Sequence, residues 1–151
     1  MSTIFDELRK SHDLARKYTR TMTSTRSSPS KRKESFLALA IELQAHAAAE
    51  ERFLYAPCLM HDAGLSESRH ALSEHHEHEE MIEKIRSLDP KGKAFIKHAK
   101  ELSEKIHHHF KDEEKGFFQL SGRILSETQK TKLNKEYIKD YDRMKKKLSN
   151  S

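Results

Sequence analysis

Histidines and glutamates interrupt the apolar stripes of amphipathic segments, and this pattern constrains the fold more than any other feature of the sequence. The stripe of segment 29–57 advances in steps of three and four residues, the periodicity of one helical face. Its positions are Phe36, Leu39, Leu43, His46, Glu50 and Phe53. Segment 90–120 repeats the arrangement with Phe95, Ala99, Leu102, Ile106, His109, Glu113 and Leu120. A helix in each segment would turn one histidine and one glutamate toward the core.

Two more segments have the same helical periodicity and carry a histidine on the apolar stripe. Residues 3–22 place His12 among Phe5, Leu8, Ala15 and Met22. Residues 66–88 place His75 on a face with Leu72, Ile82 and Ile85. Each of the four predicted helices therefore contributes at least one ionisable side chain to the core.

Local signals predict where the helices begin and end. Thr3 with Asp6 resembles a capping box, and Ser126 with Gln129 is a second one, which would start a polar fifth helix over 126–148. Gly64 predicts the gap before the third helix. Asp89 followed by Pro90 predicts an N-cap and first position for the fourth helix.

Four long helices joined by short links predict an all-α fold, specifically an up-down-up-down antiparallel four-helix bundle. We expect this bundle to occupy residues 1–122. Residues 123–151 would add a C-terminal helix packed on the outside of the bundle.

Composition excludes several classes of function. The net charge is +5, but 29 Lys and Arg are mixed with 24 Asp and Glu along the chain, so we expect no nucleic-acid partner. No apolar run approaches the roughly 20 residues of a membrane span. One cysteine, Cys58, and the absence of an apolar leader at the N-terminus favour the cytoplasm. We expect a monomer; the sequence identifies no protein partner.

The buried ionisable residues require a common explanation. A carboxylate or unpaired imidazole in an apolar core costs several kcal/mol, so such residues are normally kept at the surface. A single core histidine is more often structural, and a single HxxxE pair can be a surface pair. Because the pattern occurs on four helices, a shared metal site is the better interpretation.

The number and type of ligands favour two iron ions, which an oxo or hydroxo group could bridge. Four imidazoles and two carboxylates exceed the four ligands of a structural zinc site. Two bridging carboxylates with terminal imidazoles suit two irons roughly 3.5–4 Å apart. The predicted metal ligands are His12, His46, Glu50, His75, His109 and Glu113. His78 and Glu79, about one turn beyond His75, are possible additional ligands.

The ordered set H, HxxxE, H, HxxxE resembles the hemerythrin-like, or HHE cation-binding, domain family over residues 1–120. The resemblance implies a four-helix bundle with a non-haem di-iron centre in which Glu50 and Glu113 bridge the irons. It also implies that His12 and His46 bind one iron. The other iron would be bound by His75 and His109.

The sequence departs from the oxygen-carrying hemerythrins at two places. Those proteins have HxxxH on the third helix, but here Ala71 precedes His75 by four residues and Glu79 follows it by four. They also have HxxxxD on the fourth helix, where this chain has HxxxE. These departures weaken the case for reversible oxygen carriage. If His78 is the main third-helix ligand instead, Glu74 takes the place of its HxxxH partner.

The predicted function is therefore that of a metal-binding protein whose di-iron centre binds or senses a small ligand such as oxygen, nitric oxide or peroxide, or responds to iron. Catalysis beyond minor redox or peroxide chemistry is not expected. One alternative is a ferritin-like di-iron oxidase, although that family uses Glu-x-x-His pairs, which do not fall on these stripes. The other is a helical adaptor without metal.

Overall fold

The computed structural model describes residues 2–150, and every regular element in that range is helical. Helix α1 spans Ile4–Thr23, α2 Pro29–Glu50, α3 Ala56–Leu59, α4 Asp62–Arg86, α5 Lys93–Asp112, α6 Phe118–Ile124 and α7 Glu127–Ser149. Two π-helical segments, Glu51–Tyr55 and Glu113–Phe117, join α2 to α3 and α5 to α6 without a break. The all-α fold expected from the sequence is confirmed.

Both predicted capping boxes form. The Thr3 hydroxyl accepts a hydrogen bond from the Asp6 amide, and the Asp6 carboxylate accepts one from the Thr3 amide. Ser126 and Gln129 make the same reciprocal pair at the start of α7. These bonds satisfy amide groups that have no partner inside the helix, so each fixes the residue at which its helix begins.

Two predicted helix starts were wrong. Helix α5 begins at Lys93 rather than Pro90, because the Asp89 carboxylate accepts a hydrogen bond from the Lys91 amide and closes a local turn. Helix α4 begins at Asp62, and Gly64 lies inside it instead of marking a gap. A Cβ atom at position 64 would lie 2.6 Å from the carbonyl oxygen of Cys58. Glycine is needed there because the backbones of α3 and α4 approach closely, not because the chain turns.

The core consists of two apolar clusters. The first apolar cluster contains Ala15, Met22, Phe36, Leu39, Ala40, Leu43, Ile82, Ile85, Phe95, Ala99, Leu102, Ile106 and Phe110. The second apolar cluster contains Ile4, Leu8, Ala49, Leu54, Tyr55, Cys58, Ala71, Phe117, Phe118, Leu125, Leu133 and Tyr137. Helices α1, α2, α4 and α5 each contribute to the first cluster, and α7 contributes only to the second.

Helix α7 packs against α2 and α1. Leu133 and Tyr137 bury its apolar side in the second cluster, while the Asn134 amide donates a hydrogen bond to the Ser2 carbonyl oxygen. The Asp140 carboxylate, on the same helix, accepts a hydrogen bond from Arg52 at 2.7 Å. The C-terminal helix is therefore attached to the region of the chain just after Glu50.

Candidate metal centre

A polar layer separates the two apolar clusters. On α1 it lies between Leu8 and Ala15, and along α2 and the π-helical segment that continues it, the layer lies between Leu43 and Leu54. The layer contains the six predicted ligands, His12, His46, Glu50, His75, His109 and Glu113, and all six are at most 5% exposed. All six side chains therefore lie in the interior and at one level of the fold.

The six side chains form two groups that share both carboxylates. His12, His46, Glu50 and Glu113 each offer one ligand atom to the first group, and these atoms lie within 4.8 Å of one another. The second group joins Glu50, His75, His109 and Glu113 within the same limit. Two groups of possible ligand atoms that share two carboxylates have the arrangement expected of carboxylates that can bridge ions.

Each shared carboxylate contacts one histidine from each group. Oε1 of Glu50 lies 3.2 Å from Nε2 of His46 and 3.3 Å from Nε2 of His75. Glu113 approaches Nε2 of His12 at 3.1 Å through Oε1, and Nε2 of His109 at 3.6 Å through Oε2. All four histidines therefore present the same ring nitrogen, Nε2, to the centre of the layer.

The other ring nitrogen of three of these histidines is close to a carboxylate. Nδ1 of His12 lies 2.6 Å from Oε2 of Glu114, and Nδ1 of His75 lies 2.8 Å from Oε2 of Glu51. Nδ1 of His109 lies 2.8 Å from Oε1 of Glu74. A carboxylate that accepts the Nδ1 proton leaves the Nε2 lone pair free for a metal ion and fixes the ring orientation.

The two glutamates of each repeated motif make different contacts. In HAAAEE, Glu50 faces the centre and Glu51 contacts His75 on α4; in HFKDEE, Glu113 faces the centre and Glu114 contacts His12 on α1. Sequence reasoning missed the role of the second glutamate in each pair. The duplicated EE was a visible signal, but the partner histidine lies on another helix.

Five buried atoms in the layer lack a hydrogen-bond partner. They are Nε2 of His12, His46 and His109, Oε2 of Glu50 and Oε1 of Glu113. Buried polar atoms are nearly always satisfied, and leaving one unpaired costs about 1–3 kcal/mol. Since all five belong to the two groups, bound cations are the simplest way to satisfy them, and the residues present fit a metal pair.

The Tyr55 hydroxyl also lies inside the polar layer. It is 2.9 Å from Oε1 of Glu50 and 3.4 Å from Nε2 of His75, and it donates to Oε2 of Glu113. In an α-helix, Tyr55 would be displaced by roughly 140° from Glu50 around the axis. The π-helical segment Glu51–Tyr55 uses i to i+5 hydrogen bonds and brings Tyr55 round to the face of Glu50.

Opposite charges in the layer shift the pKa values of its histidines and glutamates. Burial alone would lower the pKa of His12, but Glu113 and Glu114 raise it to about 9. Burial likewise opposes protonation of His75, but Glu50 and Glu51 outweigh this effect, and the pKa of His75 rises to about 10. Burial would raise the pKa of Glu50, yet His46 and His75 hold it well below its usual range. Without a metal ion, the glutamates of the layer therefore favour the charged forms of His12 and His75.

The two possible additional ligands lie outside both groups. Glu79 is exposed. His78 is buried, with its ring centroid 5.3 Å from that of His109, but it belongs to neither set of converging atoms. Both residues line a small cavity of about 10 Å³ beside the second group.

Aromatic rings close the layer on one side. Phe110 stacks on His12 at a centroid distance of 3.9 Å, and Phe118 lies parallel to the same imidazole at 5.9 Å. Phe117 packs edge-on against Tyr55. These rings separate the histidines from solvent, which strengthens the electrostatic interactions within the layer.

None of the helices formed by residues 2–150 combines the length and apolar character that a transmembrane span requires.

Comparison with known proteins identified a family: the model of the hemerythrin HHE cation-binding domain matches residues 3–121. No curated protein and no solved structure matched the chain. The matched range covers α1 through the greater part of α6 and includes all six converging side chains. The chain therefore belongs to the hemerythrin HHE cation-binding domain family.

Proposed function

We propose that this protein holds a non-haem di-iron centre and binds or senses a small ligand there. The observation that carries the proposal is the sharing of Glu50 and Glu113 between two groups of buried ligand atoms. Each group adds two imidazoles to the shared carboxylates, so the chain offers four donors to each metal position. Imidazole and carboxylate ligands with positions left open are characteristic of non-haem iron.

We propose that α1, α2, α4 and α5, with their continuations, form an up-down-up-down four-helix bundle. Helix α1 proceeds from the second apolar cluster to the first, and α2 returns from the first toward the second. Helix α4 passes from Ala71 to Ile85 in the direction of α1, and α5 runs from Phe95 toward Phe117 in the direction of α2. This alternation supports the bundle topology, with residues 123–151 as an addition to it.

In this proposal the residues of the chain bind the metal ions, orient the imidazole rings and shield the centre from solvent. His12 and His46 would hold one metal ion, His75 and His109 would hold the other, and Glu50 and Glu113 would be shared between the two. Glu114, Glu51 and Glu74 hold three of the imidazoles by their Nδ1 protons. A di-iron pair, when bound, supplies open coordination positions and the capacity for one-electron and two-electron chemistry.

The small size of the cavity favours a small ligand. A volume of about 10 Å³ beside His75 and His109 is close to the space of one water molecule. Oxygen, nitric oxide or peroxide is of the right order of size, whereas a larger organic substrate is not. We therefore propose binding or sensing as the main role, in a cytoplasmic monomer, with no turnover of organic substrates.

Metal analysis of untagged protein tests the proposal. We expect about two irons per chain after anaerobic loading with ferrous iron, and oxo-to-iron absorption in the near ultraviolet after oxidation. Zinc at one ion per chain would contradict the di-iron assignment. A protein with no metal above trace would favour the adaptor function.

Two exposed histidines provide a matched control. His76 and His108 are neighbours of His75 and His109, but their side chains are 72% and 70% exposed and pair with Glu80 and Asp112. The variant His76→Ala, His108→Ala should bind the same amount of iron as the wild type. Loss of iron from this control would indicate binding to surface histidines rather than to the buried layer.

A further inference from the structure

His78 is a buried imidazole without a hydrogen bond. Its residue is 6% exposed, and it lies on α4 one turn after His75. No hydrogen bond links either of its ring nitrogens to another residue within 2–150. A neutral imidazole always carries one N–H donor and one acceptor nitrogen, so His78 has a donor and an acceptor that no other side chain uses.

His78 can donate a hydrogen bond in either protonation state. A neutral imidazole carries one N–H group and a charged imidazole carries two. The side chain therefore offers a donor independently of pH.

The cavity beside the second group brings this donor close to the metal position. His46, His75, His78 and His109 line it, and Gln44 and Glu79 supply the rest of its polar wall. Leu43 and Phe110 supply apolar surface. The ring centroid of His78 lies 6.3 Å from that of His75 and 5.3 Å from that of His109, so His78 and two ligands of the second group border the same cavity.

We propose that His78 is a positioning residue that donates a hydrogen bond to a small ligand bound in this cavity at the metal of the second group. The inference rests on the proposed di-iron function and adds a ligand class to it. The ligand is a small anion, or a dioxygen-derived species, with a lone pair on the atom that faces His78. A hydrogen bond there selects such ligands over diatomic molecules that are poor acceptors.

Azide binding to the oxidised, iron-loaded protein tests the role of His78. The proteins are wild type, His78→Leu, His78→Gln and the exposed control His76→Leu. Azide affinity is measured from its charge-transfer absorption, and the azide stretching frequency is recorded in H₂O and in D₂O. We expect about tenfold weaker azide binding in His78→Leu, the effect of losing one hydrogen bond. The D₂O shift of the stretching band should disappear in the same variant.

The other variants separate positioning from coordination. His78→Gln keeps an N–H donor and should restore most of the affinity, while His76→Leu should resemble the wild type. Iron content should stay at the wild-type level in all four proteins. A fall to about one iron in both His78 variants would show that His78 is a ligand and would overturn the proposal.

The remaining outcomes distinguish this inference from the proposed function. Unchanged azide affinity and an unchanged D₂O shift in His78→Leu would overturn the role of His78 alone. Iron-loaded wild type that does not bind azide would overturn it too and leave the metal centre standing. Wild type that binds no iron would overturn both proposals.

Discussion

The hydroxyl oxygen of Tyr137 lies 3.3 Å from Nδ1 of His46. His46 is the one histidine of the four whose Nδ1 faces a phenol instead of a carboxylate. Tyr137 belongs to α7, beyond residue 121 at which the family match ends. The C-terminal helix therefore contributes a contact to the candidate metal centre that the matched domain does not itself provide.

We predict that Tyr137→Phe releases iron faster than wild type. Only the hydroxyl is removed, so the fold should persist, but His46 loses the partner that orients its ring. Loss of such an outer contact typically weakens metal binding by about tenfold or more. The rate of iron transfer to a chelator measures this effect. Tyr18→Phe, a partly buried tyrosine packed against the first cluster, is the control and should match wild type.

Replacing a shared carboxylate should have a larger effect than replacing a terminal histidine. Glu50→Ala removes a ligand from both groups, so we expect iron to fall from about two per chain to nearly none, whereas His12→Ala should retain about one. The melting temperature of iron-loaded protein should fall in the same order, because metal binding stabilises the folded state. Equal iron losses in the two variants would contradict the bridging assignment.

Glu114→Gln should weaken metal binding without removing a ligand. The Glu114 carboxylate contacts Nδ1 of His12 and Nη2 of Arg16, and although burial would raise its pKa, these two partners lower it to about 2. Glutamine keeps the shape but not the charge, so we expect roughly tenfold weaker iron affinity. Competition with a chelator measures it. Glu80→Gln, whose side chain is 67% exposed, should show no change.

Metal loading should release protons. With pKa values of about 9 and 10, His12 and His75 are protonated in the metal-free protein near pH 7. A metal ion needs their free Nε2 atoms, so loading should release about two protons per chain, and affinity should rise with pH up to about 10. Calorimetry in buffers of different ionisation enthalpy counts the protons. A release that is near zero would contradict the paired state of the metal-free layer.

The raised pKa values of His12 and His75 also predict how the stability of the metal-free protein changes with pH. Both folded-state pKa values lie above the ordinary value of 6.5. The stability that these pairs contribute is therefore complete below about pH 6.5 and is lost as the pH rises through about 9 and 10. Denaturant titrations of chelator-treated protein between pH 6.5 and 10 should show a falling free energy of unfolding.

Tyr55→Phe should destabilise the metal-free protein more than the iron-loaded one. The hydroxyl lies between Glu50 and Glu113, which lose a hydrogen-bond donor in the variant. Metal ions would neutralise the same carboxylates, so the loss, about 1–3 kcal/mol, should appear mainly without metal. Thermal unfolding of both forms tests this. The reverse ranking, together with loss of a visible absorption band, would instead mean that the phenolate oxygen binds iron.

The helical periodicity of the sequence was sufficient to identify the six converging side chains, because i and i+4 positions share one helical face. It could not identify Glu51, Glu74 or Glu114 as partners of histidines, since their contacts are with neighbouring helices. Tyr55 is expected in the aromatic shell around the site, but α-helical periodicity does not predict the hydrogen bonds of its hydroxyl to Glu50 and Glu113, because these depend on the π-helical segment. The start of a helix depends on local hydrogen bonds. The sequence predicted the capping box of Ser126, but it did not predict that the Asp89 carboxylate would accept a hydrogen bond from the Lys91 amide and delay the start of α5.

The two π-helical segments determine which kind of sequence change the centre can tolerate. Each holds an extra residue that rotates the next turn of the helix about its axis, and in the first segment this rotation returns Tyr55 to the face of Glu50. Because the segment from Glu50 to Tyr55 contains this extra residue, α-helical winding of the same residues would turn the phenol roughly 140° away from the carboxylates. Replacement of exposed residues in these turns is compatible with the centre, whereas a change that restores α-helical winding without removing a residue would separate the phenol from Glu50.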